Sequence, residues 1–343
     1  MKILLDCRLM TARPTGISRY SEKLLSYYVE KYGYEKITAL VNEFHPDIKC
    51  QQQKTNLKPF NILHWLRFPL WLRNLKFDYY ISFHYSGLAY KVKGITSAIT
   101  VHDMMFELVP GFFSGRVKKI IGKIYFRFIV KRSMACSNAV LSVSETTRKD
   151  VKSLYGYDSV VTGEGLFLNA APNSDIISQL KLNDKSYYLY IGNNRPHKNI
   201  GSLLKAFENI HQQHPERSLV LVGHRSDVMA EGVIYPGFVS DEQLVSLYQH
   251  ARVFVFPSLY EGFGLPILEA LSNNCAVIAS DIPAFREFEN DNIIYFDLKH
   301  PTSLLDKMSA EVIFNSSEAS VILDRFSWAN TYRNLDLFLK RFI

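Results

Sequence analysis

The chain has 343 residues, of which 47% are hydrophobic and 21% are charged. This length exceeds the size at which one hydrophobic core usually keeps growing, so the sequence predicts two domains. The formal net charge of +7 favours an anionic partner, which could be nucleic acid, a nucleotide or an anionic membrane surface.

Three features of the sequence indicate the cellular compartment of the protein. No run of eighteen or more apolar residues occurs, which argues against a membrane-spanning helix. Asp6 and Arg8 interrupt the first apolar run, which does not suit a signal peptide. The four cysteines lie far apart without paired spacing, which argues against a disulfide framework or a zinc site. A cytosolic protein is expected.

Short apolar runs with strand-like composition alternate with longer helical patterns along the whole chain. The first series of predicted strands covers residues 2–6, 79–83, 97–103 and 139–145, and the second covers 187–192, 218–223, 253–258, 276–280 and 293–296. Near-continuous apolar strands separated by helices indicate parallel sheets buried on both faces. The predicted fold class is α/β.

A stretch rich in Gly, Asn and Pro, residues 160–175, separates the two series and is typical of an interdomain linker. We expect two Rossmann-like doubly wound domains facing a cleft, with bounds 1–168 and 169–326. Residues 327–343 are expected to form a helix that packs back toward the N-terminal domain. In such sheets ligands bind beyond the carboxyl ends of the strands.

The loop after the first strand contains Gly16 and leads into a helix. A glycine there allows the backbone to approach a ligand closely. As a phosphate loop it is weakly specified, because no glycine-lysine-serine/threonine signature follows.

Two segments of the first half, 62–77 and 116–134, combine apolar and aromatic residues with cations. On a helix, the apolar set of 116–134 forms one stripe that the cations flank, which is typical of an interfacial helix on anionic lipid. The alternative is a domain helix whose apolar stripe is core and whose lysines are solvated.

His102 lies at a strand end in the first half. From the residues alone, a satisfied polar side chain is the simpler interpretation. A direct pair with Asp103 is not expected, because adjacent strand residues point to opposite faces.

The stretch "YIGNNRPHKNI" (190–200) joins a strand that ends at Gly192 to a helix. Arg195 and Lys198 therefore project from a strand-to-helix turn beside a helix N-terminus, which favours anions. Two added cations suit a diphosphate. The alternative is a solvated basic turn.

The stretch "PSLYEGFGLPILEAL" (257–271) places Glu261 and Glu269 at a second strand-to-helix junction, with seven residues between them. Glu261 falls in the loop, and Pro266 suits the first turn of the helix. Both carboxylates can therefore face one cleft, although Glu269 could instead be a first-turn residue paired with a lysine.

The run from Glu261 to Glu269 resembles the paired-acid motif of retaining GT-B glycosyltransferases of family 4. Residues 190–199 resemble the diphosphate-binding turn of that family, and 100–103, 141–150, 237–251 and 326–335 resemble further family segments in the expected order. The second half matches more strongly than the first, which binds acceptors and varies in this family. The resemblance implies an N-terminal acceptor domain and a C-terminal nucleotide-sugar domain.

The resemblance also implies roles for single residues. Glu269 would bind the donor ribose, Glu261 the hydroxyls of the donor sugar, and Arg195 and Lys198 the diphosphate, while His102 would lie close to the transferred sugar. The further donor-binding residues implied are Gly16, Asn193, Phe238, Val239, Phe263, Gly264 and Leu265. Where the family often has a glycine pair in the first loop, this chain has Thr15 and Gly16.

Fixed cations aimed at a departing diphosphate stabilise the negative charge that grows as the sugar–phosphate bond breaks. No Asp-x-Asp motif, the usual carrier of Mg²⁺ or Mn²⁺ on such a diphosphate, occurs in the sequence. The expected enzyme uses neither a metal nor another cofactor.

The expected substrates are a nucleotide-diphosphate sugar, with GDP-mannose or a related GDP- or UDP-sugar favoured, and a saccharide acceptor. The two amphipathic segments favour a lipid-linked glycan of O-antigen, capsule or another surface polysaccharide, and a peripheral location at the inner face of the cell membrane. The resemblance implies retention of anomeric configuration.

Other functions are disfavoured. A nucleotide-sugar epimerase of the same fold is the nearest alternative, and the glutamate spacing and the basic turn argue against it. A nucleic-acid-binding protein would suit the positive charge, but no helix-turn-helix, zinc or aromatic RNA-binding signature is present.

Overall fold

A computed structural model of the protein describes residues 1–11, 15–113, 116–224 and 230–343, and the side chains of 116–120 lie outside that description. The chain folds as two compact units. Unit 1 comprises Met1–Glu107, Phe113–Glu164 and Thr331–Ile343, and unit 2 comprises Leu108–Phe112 and Gly165–Asn330.

Unit 1 is built on a parallel sheet. Its strands within the described residues are β1 (Ile3–Asp6), β2 (Ile37–Val41), β3 (Gln51–Lys54), β4 (Tyr79–Ser82), β5 (Thr96–Val101), β6 (Ala139–Ser142) and β7 (Val160–Val161). The strand order is β3-β2-β1-β4-β5-β6-β7, so the direction of progression reverses between β1 and β4. β3 was not predicted from apolar runs because its sequence, QQQK, is wholly polar.

The helices of the first half are α1 (Gly16–Tyr32), α2 (Ile62–Arg73), α3 (Met105–Leu108), α4 (Arg116–Cys136) and α5 (Glu145–Tyr155). The sequence sets their ends. Thr15 caps α1 by accepting a hydrogen bond from the Ser18 amide, and Ser144 caps α5 in the same way. α5 ends at Gly156 in the left-handed conformation.

Unit 2 contains a second parallel sheet. Its strands within the described ranges are β8 (Tyr187–Ile191), β9 (Ser218–Val222), β10 (Val233–Gly237), β11 (Val253–Phe256), β12 (Val277–Ser280) and β13 (Ile293–Phe296). The order is β10-β9-β8-β11-β12-β13, so the progression reverses between β8 and β11. The predicted α/β class with two parallel sheets is confirmed.

The helices of the second half are α6 (Asp175–Gln179), α7 (Ile200–Gln213), α8 (Asp241–His250), α9 (Leu265–Ser272), α10 (Pro283–Arg286), α11 (Ser303–Ser309), α12 (Ser316–Arg325) and α13 (Trp328–Phe342). α7 buries Leu203, Phe207 and Ile210 on one face, at the spacing of three and four residues that is typical of an amphipathic helix. Most of α13, from Thr331 onward, belongs to unit 1. None of the described helices has the length and apolarity needed to cross a membrane.

Candidate active site

The carboxyl edge of the unit 2 sheet holds two loops at its switch point. β8 runs through Gly192 into a short 3-10 turn, Pro196–Lys198, and β11 runs into the loop that contains Glu261. The Leu259 amide donates a 2.7 Å hydrogen bond to the His197 carbonyl and so ties the two loops together. Gly192 is required because its φ is +155° and a Cβ would lie 2.4 Å from the Tyr190 hydroxyl.

An ion pair forms between these loops. The Lys198 ammonium lies 2.6 Å from Glu261 Oε1, and the two side chains are 14% and 12% exposed. The Lys198 ammonium also lies 5.0 Å from the centre of the Phe256 ring, within the range of a cation–π contact. A cation and a carboxylate predicted for one site are therefore adjacent, and both remain partly accessible.

The other residues of the basic turn differ in exposure. Arg195 is exposed, and its guanidinium lies 5.9 Å from the Phe112 ring centre within unit 2. His197 is buried, and burial together with Lys198 and Arg195 lowers its pKa to about 4 despite the opposing effect of Glu261. Its Nε2 atom has no hydrogen-bond partner among the described residues.

The second glutamate lies on α9, whose first turn contains Pro266. Glu269 Oε2 accepts a 3.2 Å hydrogen bond from the Tyr248 hydroxyl, which also lies 3.3 Å from the Pro266 carbonyl. Gly264 precedes the helix with φ +149°, and a Cβ there would lie 2.8 Å from the Phe288 ring. Tyr248 thus orients Glu269. Sequence analysis missed this role, although Tyr248 lies in the family-like segment 237–251.

The structure gives the other predicted donor-binding residues varied surroundings. The Asn193 side chain accepts a 3.1 Å hydrogen bond from the Arg195 amide and so shapes the turn. Phe238 follows β10 and is 74% exposed. The Phe263 ring is buried against other aromatic rings. The remaining predicted residues are Val239 and Leu265, both half-buried in unit 2, and Gly16, the exposed first residue of α1 in unit 1.

In unit 1, His102 directly follows β5. Its Nδ1 lies 2.9 Å from Glu164 Oε1, and its Nε2 lies 2.9 Å from the Phe83 carbonyl oxygen. Burial acts to lower the pKa of His102, but Glu164 and the Phe83 carbonyl outweigh it, so this pKa lies above 6.5. The Asp103 carboxylate accepts a hydrogen bond from the Met105 amide at the start of α3. Sequence analysis missed Glu164 because it lies in the stretch interpreted as a linker.

The switch point of the unit 1 sheet contains a buried polar network. Arg8 binds both carboxylate oxygens of Asp6, and the Tyr80 hydroxyl donates to the same carboxylate at 2.6 Å. His84 Nε2 lies 3.3 Å from Asp6 Oδ2, and His64 Nδ1 lies 3.0 Å from Arg8 Nη1. Burial acts to raise the pKa of Asp6, but Arg8 and His84 together hold it well below 3.8.

Helices α2 and α4 present apolar side chains to solvent. The exposed residues are Ile62, Leu63, Leu66 and Leu70 on α2 and Ile121, Ile124 and Phe128 on α4. The Trp65 and Phe128 ring centres lie 6.2 Å apart, so the two helices meet. Two predicted surface cations, Lys123 and Arg127, bind Glu107, while Lys131 and Arg132 are exposed.

The predicted apolar stripe of 116–134 is therefore only partly core. Ile129 is buried, whereas Ile121, Ile124 and Phe128 are exposed. The predicted cations Arg116, Lys118 and Lys119 lie outside the described side chains.

Two family descriptions match the chain. "Glycosyl transferases group 1" matches residues 173–310, and "Glycosyltransferase Family 4" matches residues 28–162. The O-antigen chain mannosyltransferase RfbU of Salmonella typhimurium is 31% identical over 291 residues, which are 80% of this chain and 75% of the relative. The O-antigen chain mannosyltransferase B of Escherichia coli is 29% identical over 313 residues, 82% of this chain and 78% of the relative.

Solved structures show the same fold. Sucrose-phosphate synthase from Thermosynechococcus elongatus superposes with a TM-score of 0.75 at 15% identity and covers 99% of this chain and 98% of its own. The Anabaena protein HepE in complex with UDP and glucose gives a TM-score of 0.72 at 16% identity, with 99% of each chain covered. The fold and the two matched regions define a glycosyltransferase of the GT-B class. The chain belongs to glycosyltransferase family 4, as the sequence motifs predict.

Proposed function

We propose that this glycosyltransferase moves a hexosyl group from a nucleotide-diphosphate sugar to a saccharide acceptor, with retention of anomeric configuration. The observation that carries the proposal is the Lys198–Glu261 pair, 2.6 Å apart at the switch point of the unit 2 sheet. Open parallel sheets bind ligands at this position. A cation suited to phosphate and a carboxylate suited to sugar hydroxyls are adjacent there.

The proposed chemistry follows from the charges. Lys198 and Arg195 hold the diphosphate, and their positive charge stabilises the negative charge that develops as the sugar–phosphate bond breaks. A bound diphosphate attracts Lys198 and leaves Glu261 available to sugar hydroxyls. Glu269, oriented by Tyr248, binds the ribose. His102 acts close to the transferred sugar.

We favour GDP-mannose as the donor, because two relatives that match over about four fifths of this chain are named as O-antigen chain mannosyltransferases. The same names favour an acceptor that belongs to a surface polysaccharide, in the form of a lipid-linked glycan. HepE, at 16% identity, was solved with UDP and glucose, so a UDP-sugar is the second candidate donor.

A nucleotide-sugar panel tests the donor. A donor that binds the folded protein raises the melting temperature, and GDP-mannose is expected to raise it more than UDP-glucose. Incubation with donor alone separates transfer from epimerisation, since an epimerase converts the sugar without an acceptor. Stabilisation by no nucleotide sugar, or conversion of donor alone, would contradict the proposal.

We also propose that transfer needs no metal ion, because Lys198 and Arg195 supply positive charge for the diphosphate. The rate in excess chelator should match the rate in untreated enzyme. Complete loss of activity in chelator, restored by Mg²⁺ or Mn²⁺, would show the opposite.

Docking on an anionic membrane is proposed for the surface formed by α2 and α4. Exposed apolar residues from both helices lie beside exposed cations such as Lys131, a combination suited to the headgroup region. Sedimentation with phosphatidylglycerol vesicles should exceed sedimentation with phosphatidylcholine. The double variant Leu66→Glu and Ile124→Glu should abolish it. Val321→Glu, an equally exposed apolar position in unit 2, is the matched control.

A further inference from the structure

Both ring nitrogens of His102 face oxygen atoms. Nδ1 is 2.9 Å from a carboxylate oxygen of Glu164, and Nε2 is 2.9 Å from the Phe83 carbonyl oxygen. A carbonyl or an ionised carboxylate can only accept a hydrogen bond, and a neutral imidazole has one N–H and one lone pair. With a neutral ring, one of the two contacts would therefore bring a nitrogen lone pair against an oxygen lone pair. An imidazolium donates two hydrogen bonds and satisfies both.

A neutral imidazole that accepts from a protonated Glu164 is the other possible arrangement. It is disfavoured because Glu164 and the Phe83 carbonyl both raise the pKa of His102, which keeps the proton on the ring. The Glu164 side chain is only 6% exposed. A carboxylate buried to this extent requires a partner of opposite charge, which favours a positive His102 ring.

The groups around His102 favour a positive ring. The Glu164 carboxylate, which follows β7, faces it, and the negative charge of the neighbouring Asp103 acts in the same direction. His84, which follows β4, has a pKa lowered chiefly by burial, so it does not compete as a second cation at neutral pH. The Tyr20 ring on α1 meets the imidazole edge-on with centroids 4.8 Å apart. These contacts fix the plane of the ring.

We propose that Glu164 is a positioning residue that holds His102 in one orientation as an imidazolium at neutral pH. An imidazolium has no free lone pair, so His102 is neither a nucleophile nor the base that deprotonates the acceptor. It contributes a fixed positive charge and an oriented ring. The link from this charge to turnover rests on the proposed transferase function, whereas the protonation state does not.

Nitrogen NMR of the intact protein labelled with ¹⁵N-histidine tests the protonation state directly. In an imidazolium the two ring nitrogens have similar shifts, whereas in a neutral ring one is pyridine-like and clearly separated. At about pH 7.5, above the ordinary histidine pKa, His102 should give the imidazolium pattern. The His102→Asn variant assigns the signal by its absence. A pyridine-like Nδ1 in the wild type would overturn the proposal.

The pH dependence of kcat tests the role of Glu164. An activity that needs the imidazolium is present below the pKa of folded His102 and is lost as the pH rises through it. Glu164→Gln removes the charge and keeps a hydrogen-bond acceptor, so the alkaline limb should move to lower pH. Glu164→Asp keeps the charge and should leave the limb near its wild-type position.

The exposed carboxylate of Glu145 on α5 provides the matched control, and Glu145→Gln should leave the limb unchanged. An alkaline limb that stays in place in Glu164→Gln would also overturn the proposal. If that variant does not fold, the wild-type NMR titration decides alone. A wild-type protein that transfers no sugar from any donor would refute the proposed function and leave the NMR result standing.

Discussion

Both sheets place charged side chains at the point where the strand order reverses. The two sets of side chains differ in how far they are exposed. At the unit 1 switch point, between β1 and β4, the side chains of Asp6 and Arg8 are fully buried. At the unit 2 switch point, between β8 and β11, Lys198 and Glu261 remain 14% and 12% exposed. A general rule predicts a ligand at both positions. The difference shows that side chains of the chain itself can occupy such a crevice.

The hydrogen bonds explain the difference. The Arg8 guanidinium donates hydrogen bonds to the Asp6 carboxylate and, at 2.7 Å, to the Leu57 carbonyl, and it also contacts His64. Little of its hydrogen-bonding capacity therefore remains for a ligand. The Lys198 ammonium has three N–H groups, and within the described residues one hydrogen-bond partner, Glu261, engages it. The first network uses its donors within the fold, whereas the second keeps N–H groups that the proposed diphosphate could use.

Removing the buried carboxylate should have the largest effect. Asp6→Ala leaves the Arg8 charge buried without its partner, which should lower the free energy of unfolding by about 3–5 kcal/mol. Chemical denaturation measures this change, while kcat of the folded fraction should change little. Asp158→Ala, which removes an exposed ion-paired carboxylate in unit 1, is the control and should alter stability little. Equal stability of Asp6→Ala and Asp158→Ala would contradict a structural role for the buried pair at the unit 1 switch point.

Removing the partly accessible cation Lys198 should instead affect turnover. Lys198→Met should lower kcat on the order of a hundredfold or more, about 3 kcal/mol of barrier, because a preorganised charge on the diphosphate is lost. Its loss of unfolding free energy should be smaller than that of Asp6→Ala. Lys205→Met changes an exposed lysine of α7 and should leave kcat unchanged. A wild-type kcat in Lys198→Met would show that Lys198 does not contribute to turnover.

Removing the Tyr248 hydroxyl, which contacts Glu269 in unit 2, should have a smaller effect. Tyr248→Phe removes the hydroxyl that orients Glu269. A hydrogen bond to a charged group contributes about 1.5–3 kcal/mol, so the donor KM should rise roughly tenfold to a hundredfold with a lesser change in kcat. Steady-state kinetics measure the split. The exposed Tyr34 serves as the control through Tyr34→Phe.

Acid should produce the smallest change per titrating group and per pH unit. Burial, with Arg8 adding to it, lowers the pKa of His64 to about 3, and burial lowers that of His197 to about 4. The unfolded chain therefore takes up protons first, and stability present above about pH 6.5 is lost as the pH falls, by up to about 1.4 kcal/mol per group per pH unit. Denaturation at several pH values measures the slope. His64→Gln should flatten it, and an unchanged slope would place the proton uptake elsewhere.

Several parts of the site could be predicted because they depend on residues close together in the chain. Glu261 and Glu269 lie at one strand-to-helix junction, and Arg195 and Lys198 at another. Spacing and helix-start signals define such junctions locally. Nine of the described strands were predicted for the same reason, whereas the polar β3 was not, and the short strands β2, β7 and β10 were also missed.

Other parts depend on distant residues and were missed. Glu164 meets His102 across 62 positions, and Tyr248 meets Glu269 across 21. No periodicity connects such pairs, because only the packing of neighbouring strands and helices brings them together. Likewise, 116–134 was predicted as an amphipathic helix, but the engagement of Lys123 and Arg127 by Glu107 was not visible from the pattern.

The sequence by itself determined the family, the α/β class and the local motifs, since each is written in short-range composition and spacing. Only the tertiary structure decided which charges pair. It buried Asp6 with Arg8, joined Lys198 to Glu261, and set Glu164 against His102. The physical reason is that burial and electrostatic partnership are properties of distances in space. The carboxyl ends of parallel strands meet at one edge of a sheet, so loops that are far apart in the chain can lie side by side there.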